Sequence, residues 1–192
     1  IRLREKQKLR RMIQMTERPF EKLVSAATAA REASGDALLR TLELRLDNAL
    51  FRLAAGLGVI DRGQPQWNRI RSEVALVRLG GASILCVPGE LYPEIANGGI
   101  VHPPGADFDT PPVEVPPLRD LAPGRVKFLF GLANDEIGYI IPKSEWDDRA
   151  PWLFGAPERH YGEINSLGPE TATTLHRALS ELIDLDASGS TR

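Results

Sequence analysis

A glutamate and two tyrosines stand where their side chains could do chemistry together. Glu90 follows an apolar run over residues 82–87, Tyr139 follows the turn-rich residues 131–138, and Tyr161 precedes the last predicted helix. Strand ends converge on one edge of a sheet, where α/β proteins place their sites. A carboxylate can bind zinc, and a phenol can bind zinc or donate a hydrogen bond to an oxyanion. These three residues are therefore candidate site residues.

Each candidate also has a simpler structural explanation. Glu90 could equally cap the short helix predicted just after it, because a carboxylate is stabilised at a helix N-terminus. The stretch that ends in Tyr139 could be an ordinary turn at Asn134 and Asp135 between two core strands, which local sequence alone favours. Both alternatives stay open on the residues alone.

The surrounding pattern predicts an α/β fold in which a mixed sheet is flanked by helices. Residues 70–79 predict a strand, residues 82–87 form an apolar run, and the Gly-Gly pair between them is a hairpin signal. Val126, Phe128 and Phe130 alternate with other side chains and predict a strand with that face buried. Further predicted elements are a strand around Leu42–Leu46, helices at 49–57, 92–96 and 143–148, a long ordered proline-rich loop over 98–124, a final helix from Pro169, and a polar tail from Asp184.

Composition limits the chemistry available to the chain. The formal net charge is −2, from 24 basic and 26 acidic residues, so no overall field favours nucleic acid or a membrane. One cysteine excludes an internal disulfide framework. No apolar run reaches the ~20 residues of a membrane span. His102, His160 and His176 lack metal-ligand spacing to one another, and His176 is expected at the surface.

The first residues differ from the rest of the chain. Residues 2–11 contain six basic side chains and one acidic one, and the chain opens at Ile1 without a methionine. A nucleic-acid or anionic-lipid contact would explain the charge. A solvated helix face explains it more simply, so we expect no nucleic-acid partner. The missing methionine predicts that the chain is a piece of a longer polypeptide.

Four stretches in order carry a family resemblance. They are residues 73–80 with the following strand into Pro88-Gly89-Glu90, Gly131-Leu-Ala-Asn134 into Gly138-Tyr139, Tyr161-Gly-Glu163, and Leu167-Gly-Pro-Glu-Thr-Ala172. Together they resemble the C-terminal half of the catalytic domain of the neutral/alkaline (non-lysosomal) ceramidase family. The resemblance implies a ceramidase-like half over 37–185, and the residues themselves predict a helical segment over 1–36 before it and a disordered tail over 186–192 after it.

The resemblance also implies a function. Members of that family are zinc-dependent amidohydrolases, so Glu90 and Tyr139 would be zinc ligands and Tyr161 would stabilise the transition state. The substrate would be a lipid or other small molecule with an N-acyl amide bond, as in sphingolipids, and the protein would be secreted or periplasmic. The family's zinc-binding histidines lie upstream, so the fragment alone would be inactive. The alternative is a non-catalytic binding or assembly domain on the same scaffold.

Overall fold

The structure is a computed structural model that describes residues 37–57, 59 and 69–189. The helical segment expected over residues 1–36 lies outside the described residues, and so does the end of the expected tail. Within the described ranges, no helix combines the length and the apolar character that crossing a bilayer requires.

The centre of the fold is a mixed four-stranded sheet. Its order is β1-β2-β3-β5, in which the first two pairings are antiparallel and β3 runs parallel to β5. A two-stranded parallel sheet, β4 with β6, lies beyond the ends of these strands. The strands are β1 Ala37–Arg45, β2 Arg69–Leu79, β3 Ala82–Cys86, β4 Glu90–Leu91, β5 Val126–Phe130 and β6 Tyr139–Ile140.

Helices accompany the sheet, which confirms the predicted α/β class. The predicted hairpin is present, with Gly80 at φ +58°, a left-handed conformation that suits glycine. The predicted turn at 143–148 is a short 3₁₀ helix, Lys143–Glu145, and a second covers Leu153–Gly155. The α-helices are α1 Ala49–Gly56, α2 Pro93–Asn97, α3 Leu118–Leu121, α4 Tyr161–Ile164 and α5 Thr171–Gly189.

The core lies between α5 and one face of the sheet. That face presents the buried Leu42, Leu44 and Leu76, against which α5 packs. The apolar positions predicted along the last helix are all buried, namely Leu175, Ala178, Leu179, Leu182 and Ile183. Ion pairs tie the helix to the same face: Arg40 with Glu181, and Arg78 with Asp186. The helix continues past Asp184, so it is longer than the sequence predicts.

The predicted burial of β5 is wrong. Val126, Phe128 and Phe130 are 44%, 48% and 42% exposed, whereas the alternate residue Leu129 packs against the core. The reason is that β5 is an edge strand whose other face meets α3: Lys127 donates to the carbonyl of Arg119 at 2.7 Å. Alternation identifies two faces of a strand, but it does not tell which of them is covered.

The surface position expected for His176 is also wrong. The side chain is 7% exposed, because the proline-rich loop crosses over α5 at this point. The ring Nε2 lies 2.8 Å from the carbonyl oxygen of Pro116. One helical turn earlier, Thr173 donates its hydroxyl to the buried Glu114 carboxylate at 2.6 Å. The loop is therefore an ordered cover that polar contacts hold onto the helix.

The stretch that leads to Tyr139 wraps around the segment that leads to Glu90. Backbone hydrogen bonds join Leu132 to Gly89, Ala133 to Val87 and Ile137 to Pro88, at 2.9–3.0 Å. Side chains of the predicted turn are held by β2: the Asn134 amide donates to Glu73 at 2.6 Å, and Ser72 donates to Asp135 at 2.8 Å. The stretch is a docked loop, and it fixes the position of β6 beside β4.

Gly138 gives a test of this docking. Its φ is +83°, and an added Cβ would lie 1.9 Å from the Asn165 carbonyl oxygen, a contact that the backbone must move to relieve. We expect Gly138→Ala to lower the free energy of unfolding by more than ~1 kcal/mol, since the left-handed strain and the clash add. Gly81→Ala is the control, because a Cβ added there meets nothing within 4 Å and the φ of Gly81 is not positive. Urea unfolding of both variants decides, and equal stabilities would contradict the prediction.

Candidate functional site

The structure brings Glu90, Tyr139 and Tyr161 together. Glu90 and Tyr139 are direct partners in the β4–β6 pairing. The rings of Tyr139 and Tyr161 lie 5.7 Å apart at an interplanar angle of 77°, an edge-to-face contact. Convergence of the strand ends therefore places Glu90 beside Tyr139, and the short helix α4 adds Tyr161 to the cluster. Their catalytic and metal-binding roles stay predictions.

A third tyrosine, Tyr92, completes the cluster. Its ring lies 6.3 Å from that of Tyr139, again edge to face. Burial, followed by the nearby Glu163 carboxylate, raises the pKa of Tyr92 to about 12. The residues predicted from the sequence did not include Tyr92. A signal was available, because Glu90 and Tyr92 are two positions apart on an extended segment and so share a side.

Within the cluster, the phenol of Tyr139 hydrogen-bonds to the carboxylate of Glu90. That bond is the main cause that raises the pKa of Tyr139 above its ordinary value of 10.0. Tyr139 is consequently a neutral donor at pH 7, with the carboxylate as acceptor. Glu90 and Tyr161 are exposed. The cluster can accept or donate hydrogen bonds and offer a ring edge to a ligand at the surface.

The described histidines add no ligand to the metal site predicted at Glu90 and Tyr139. No group of three or more His, Cys, Asp or Glu side chains in residues 37–57 and 69–189 is arranged to hold a metal ion. His102 lies 3.6 Å from Asp109, and His160 lies 3.2 Å from Asp147. His176 contacts the proline-rich loop. Zinc binding stays a prediction that rests on two side chains.

Buried acidic groups lie behind the tyrosines. Asp147 is fully buried, and its Oδ2 accepts from the backbone N–H of Leu153 at 2.6 Å. Glu163 is 4% exposed, and its Oε2 has no hydrogen-bond partner. Burial is the largest cause that raises the pKa of Glu163, although backbone N–H groups and His160 act in the opposite direction. No local sequence pattern indicates this burial.

Comparison with known proteins points to the first residues of the chain. Residues 1–43 match the family model described as the ribosomal protein S4/S9 N-terminal domain. The small ribosomal subunit protein uS4c of Monoclea forsteri is 52% identical over 59 residues, which is 31% of this chain and 29% of that protein. The uS4 protein of Endomicrobium trichonymphae is 35% identical over 92 residues, 45% of this chain and 44% of that protein. The chain thus spans less than half of the length of either relative.

One solved structure is similar to the described fold only loosely. The neutral ceramidase from Pseudomonas aeruginosa aligns over 78% of this chain and 28% of that chain, with a TM-score of 0.42 and 15% sequence identity. A similarity of that extent supports no conclusion about fold or function.

The ribosomal matches overturn the ceramidase resemblance. The predicted function, a zinc-dependent amidohydrolase that acts on sphingolipid-like amides, is wrong. The predicted small-molecule substrate and the predicted secreted or periplasmic location are wrong with it. The expectation of no nucleic-acid partner is wrong for the same reason. That expectation rested on the net charge of the whole chain and on interpreting residues 2–11 as a solvated helix face, whereas charges act locally, over the ~8–10 Å that salt screening allows. The non-catalytic alternative is closer, but it named no ribosomal role.

The buried Glu163 carboxyl predicts a pH-dependent stability. Its raised pKa favours the protonated folded state, so its contribution is fully present below the ordinary value of 4.5 and is lost as pH rises through the folded pKa. We expect Glu163→Gln to melt at a higher temperature than the parent at pH 7, with the difference shrinking towards pH 4. The control is Glu158→Gln, at an exposed glutamate. Thermal melts at both pH values decide; a pH-independent difference would show that the carboxyl does not cause it.

Proposed function

We propose that the chain is a ribosomal S4-type RNA-binding protein whose first residues contact RNA of the small ribosomal subunit. The match of residues 1–43 to the ribosomal protein S4/S9 N-terminal domain carries the proposal. The two relatives are named as small ribosomal subunit proteins. The location that follows from the proposal is the ribosome.

The charge of residues 2–11 supports the proposal. Six of these ten side chains are Arg or Lys, and one is acidic. Arginine donates paired hydrogen bonds to phosphate oxygens, and each phosphate that is neutralised releases counterions from the RNA. A dense basic segment therefore gains affinity from RNA even in a chain whose net charge is −2.

The described part of the matched stretch limits which of its residues are free to contact RNA. Residues 37–43 lie on β1, where the charged side chains already have partners within the fold. Arg40 pairs with Glu181, and Glu43 accepts from Arg69 at 3.1 Å. These charges neutralise one another, so β1 offers little to a phosphate. The RNA contact is accordingly assigned to the basic residues that precede β1.

Neutralising two of these arginines tests the proposal. We expect Arg10→Gln with Arg11→Gln to weaken binding to labelled RNA of the small ribosomal subunit. The slope of log K against log salt should become less steep by about 1 to 2, since each phosphate contact contributes a little under one unit. Fluorescence anisotropy across a salt series measures both quantities.

The control for that experiment carries the same change of charge elsewhere. Arg125 and Arg177 are exposed residues outside the matched stretch, so Arg125→Gln with Arg177→Gln should leave the slope close to that of the parent. If both double variants changed affinity and slope equally, binding would depend on overall charge, and the assignment to residues 2–11 would fail.

A further inference from the structure

One face of the four-stranded sheet is largely apolar and has no described helix packed on it. We call it the open face; it is the face opposite α5. The strand pairings assign its residues, because positions that are direct partners across strands point to the same side. Its apolar members include Leu39, Ala75, Val77, Leu79, Ala82, Ile84, Cys86, Val126, Phe128 and Phe130.

The apolar surface of the open face continues from strand to strand. One row across β2, β3 and β5 runs Val77, Ile84 and Phe128. The rings of Phe128 and Phe130 lie 6.2 Å apart. Leu39, Leu79 and Phe128 are 51%, 47% and 48% exposed. Monomeric proteins rarely leave so contiguous an apolar surface in water, so such a surface marks an interaction site.

The described helices that contact the sheet lie on its other side. Helix α5 pairs with Arg40 and Arg78, which belong to the core face, and α3 meets β5 through Lys127, which belongs to it too. A sheet that is apolar on both faces is stabilised by a layer on each. The described loop over 131–138 reaches one end of the open face, where Asn134 donates to Glu73 and where Ala75 and Cys86 are buried. The exposed remainder of the open face has no described helix over it.

The segment before Ala37 has the composition of such a layer. Apolar residues recur in it at helical spacing, first Leu9, Met12 and Ile13, then Phe20, Leu23 and Val24 after a break at Pro19. Four strands at ~4.8 Å spacing make a surface about 14 Å wide, and a helix with its side chains is about 10 Å across, so two short helices would cover it.

Chain connectivity favours this segment over a second copy of the protein. Residues 1–36 join β1 at Ala37 directly, and β1 is an edge strand of the same sheet. A tethered segment acts at an effective concentration in the millimolar range, which a second molecule does not reach at ordinary protein concentrations. We propose that the open face is the docking surface for the apolar side of residues 1–36 of the same chain.

Docking on the open face is independent of RNA binding and compatible with it. On β3 and β5 the open face carries only apolar side chains, so that part offers no partner to arginine or lysine. The carboxylates of the open face, Glu43 and Glu73, lie on β1 and β2 and already have partners in Arg69 and Asn134. The basic residues of the docked segment would consequently face away from the sheet. Docking and RNA contact then use different sides of one segment, so either proposal can be wrong while the other holds.

Photocrosslinking in the full chain tests the docking. Phe128 is replaced by benzoylphenylalanine, and the crosslinked peptides are identified by mass spectrometry. The control places the same group at Phe154, which is 86% exposed and lies in the separate loop after Pro151. The expected result is a crosslink from position 128 to a peptide within residues 1–36 of the same molecule, absent from position 154.

Three results would overturn the proposal. Crosslinked dimers would identify a second copy as the occupant. A crosslink to any other part of the chain would identify a different cover. A yield at position 128 no higher than at position 154 would show that the face is free.

Substitutions in the segment sharpen the same test. Leu23→Glu with Val24→Glu should abolish the crosslink, whereas Lys22→Glu with Ser25→Glu, at neighbouring polar positions, should retain it; retention in both variants would overturn the apolar docking. Arg10→Gln with Arg11→Gln should retain the crosslink while losing RNA affinity, which separates this proposal from the proposed function. Thermal melts of every variant confirm that the sheet is folded.

Discussion

The parallel pairing of β3 with β5 is the constraint on which the rest of the described structure depends. Parallel strands end at the same edge of a sheet, so the segments that follow them are forced together. The pairing extends one step beyond the strands, where Val87 donates to the Phe130 carbonyl at 2.9 Å. From there the loop over 131–138 follows residues 87–90, β6 pairs with β4, and the tyrosine cluster forms as a consequence. An antiparallel partner for β3 would have sent the two segments to opposite edges.

The parts of the fold that the sequence predicts correctly depend on residues close together in the chain or on where strands end. Local patterns identified the Gly-Gly hairpin and the buried stripe of α5, because both depend on residues close together in sequence. The meeting of Glu90 with Tyr139 followed from strand ends alone. The covered face of β5 did not follow, because it depends on α3, a four-residue helix within the proline-rich loop. The burial of His176 and Glu163 has the same cause: residues distant in sequence cover them.

The functional interpretation failed for a different physical reason. The motifs that resembled a hydrolase are short, and most of them are strand ends and turns, where glycine, proline and small polar residues recur in many folds. The basic residues 2–11 also fit a solvated helix face, and the slightly acidic net charge of the whole chain gives no sign of nucleic-acid binding. Electrostatic recognition is local, and salt removes the influence of charges more than about 10 Å away. The composition of residues 2–11 is therefore a better guide to the binding partner than the composition of the whole chain.

Three arginines of the described sheet are paired with carboxylates. Arg40, Arg69 and Arg78 each form an ion pair within the fold, and these pairs use arginines of both edge and central strands. An arginine already paired with a carboxylate gains less from a phosphate, because the new contact must replace the old one. The open face adds no charge on β3 or β5. A sheet built in this way offers apolar surface on β3 and β5, whereas six of the ten residues 2–11, before Ala37, are basic.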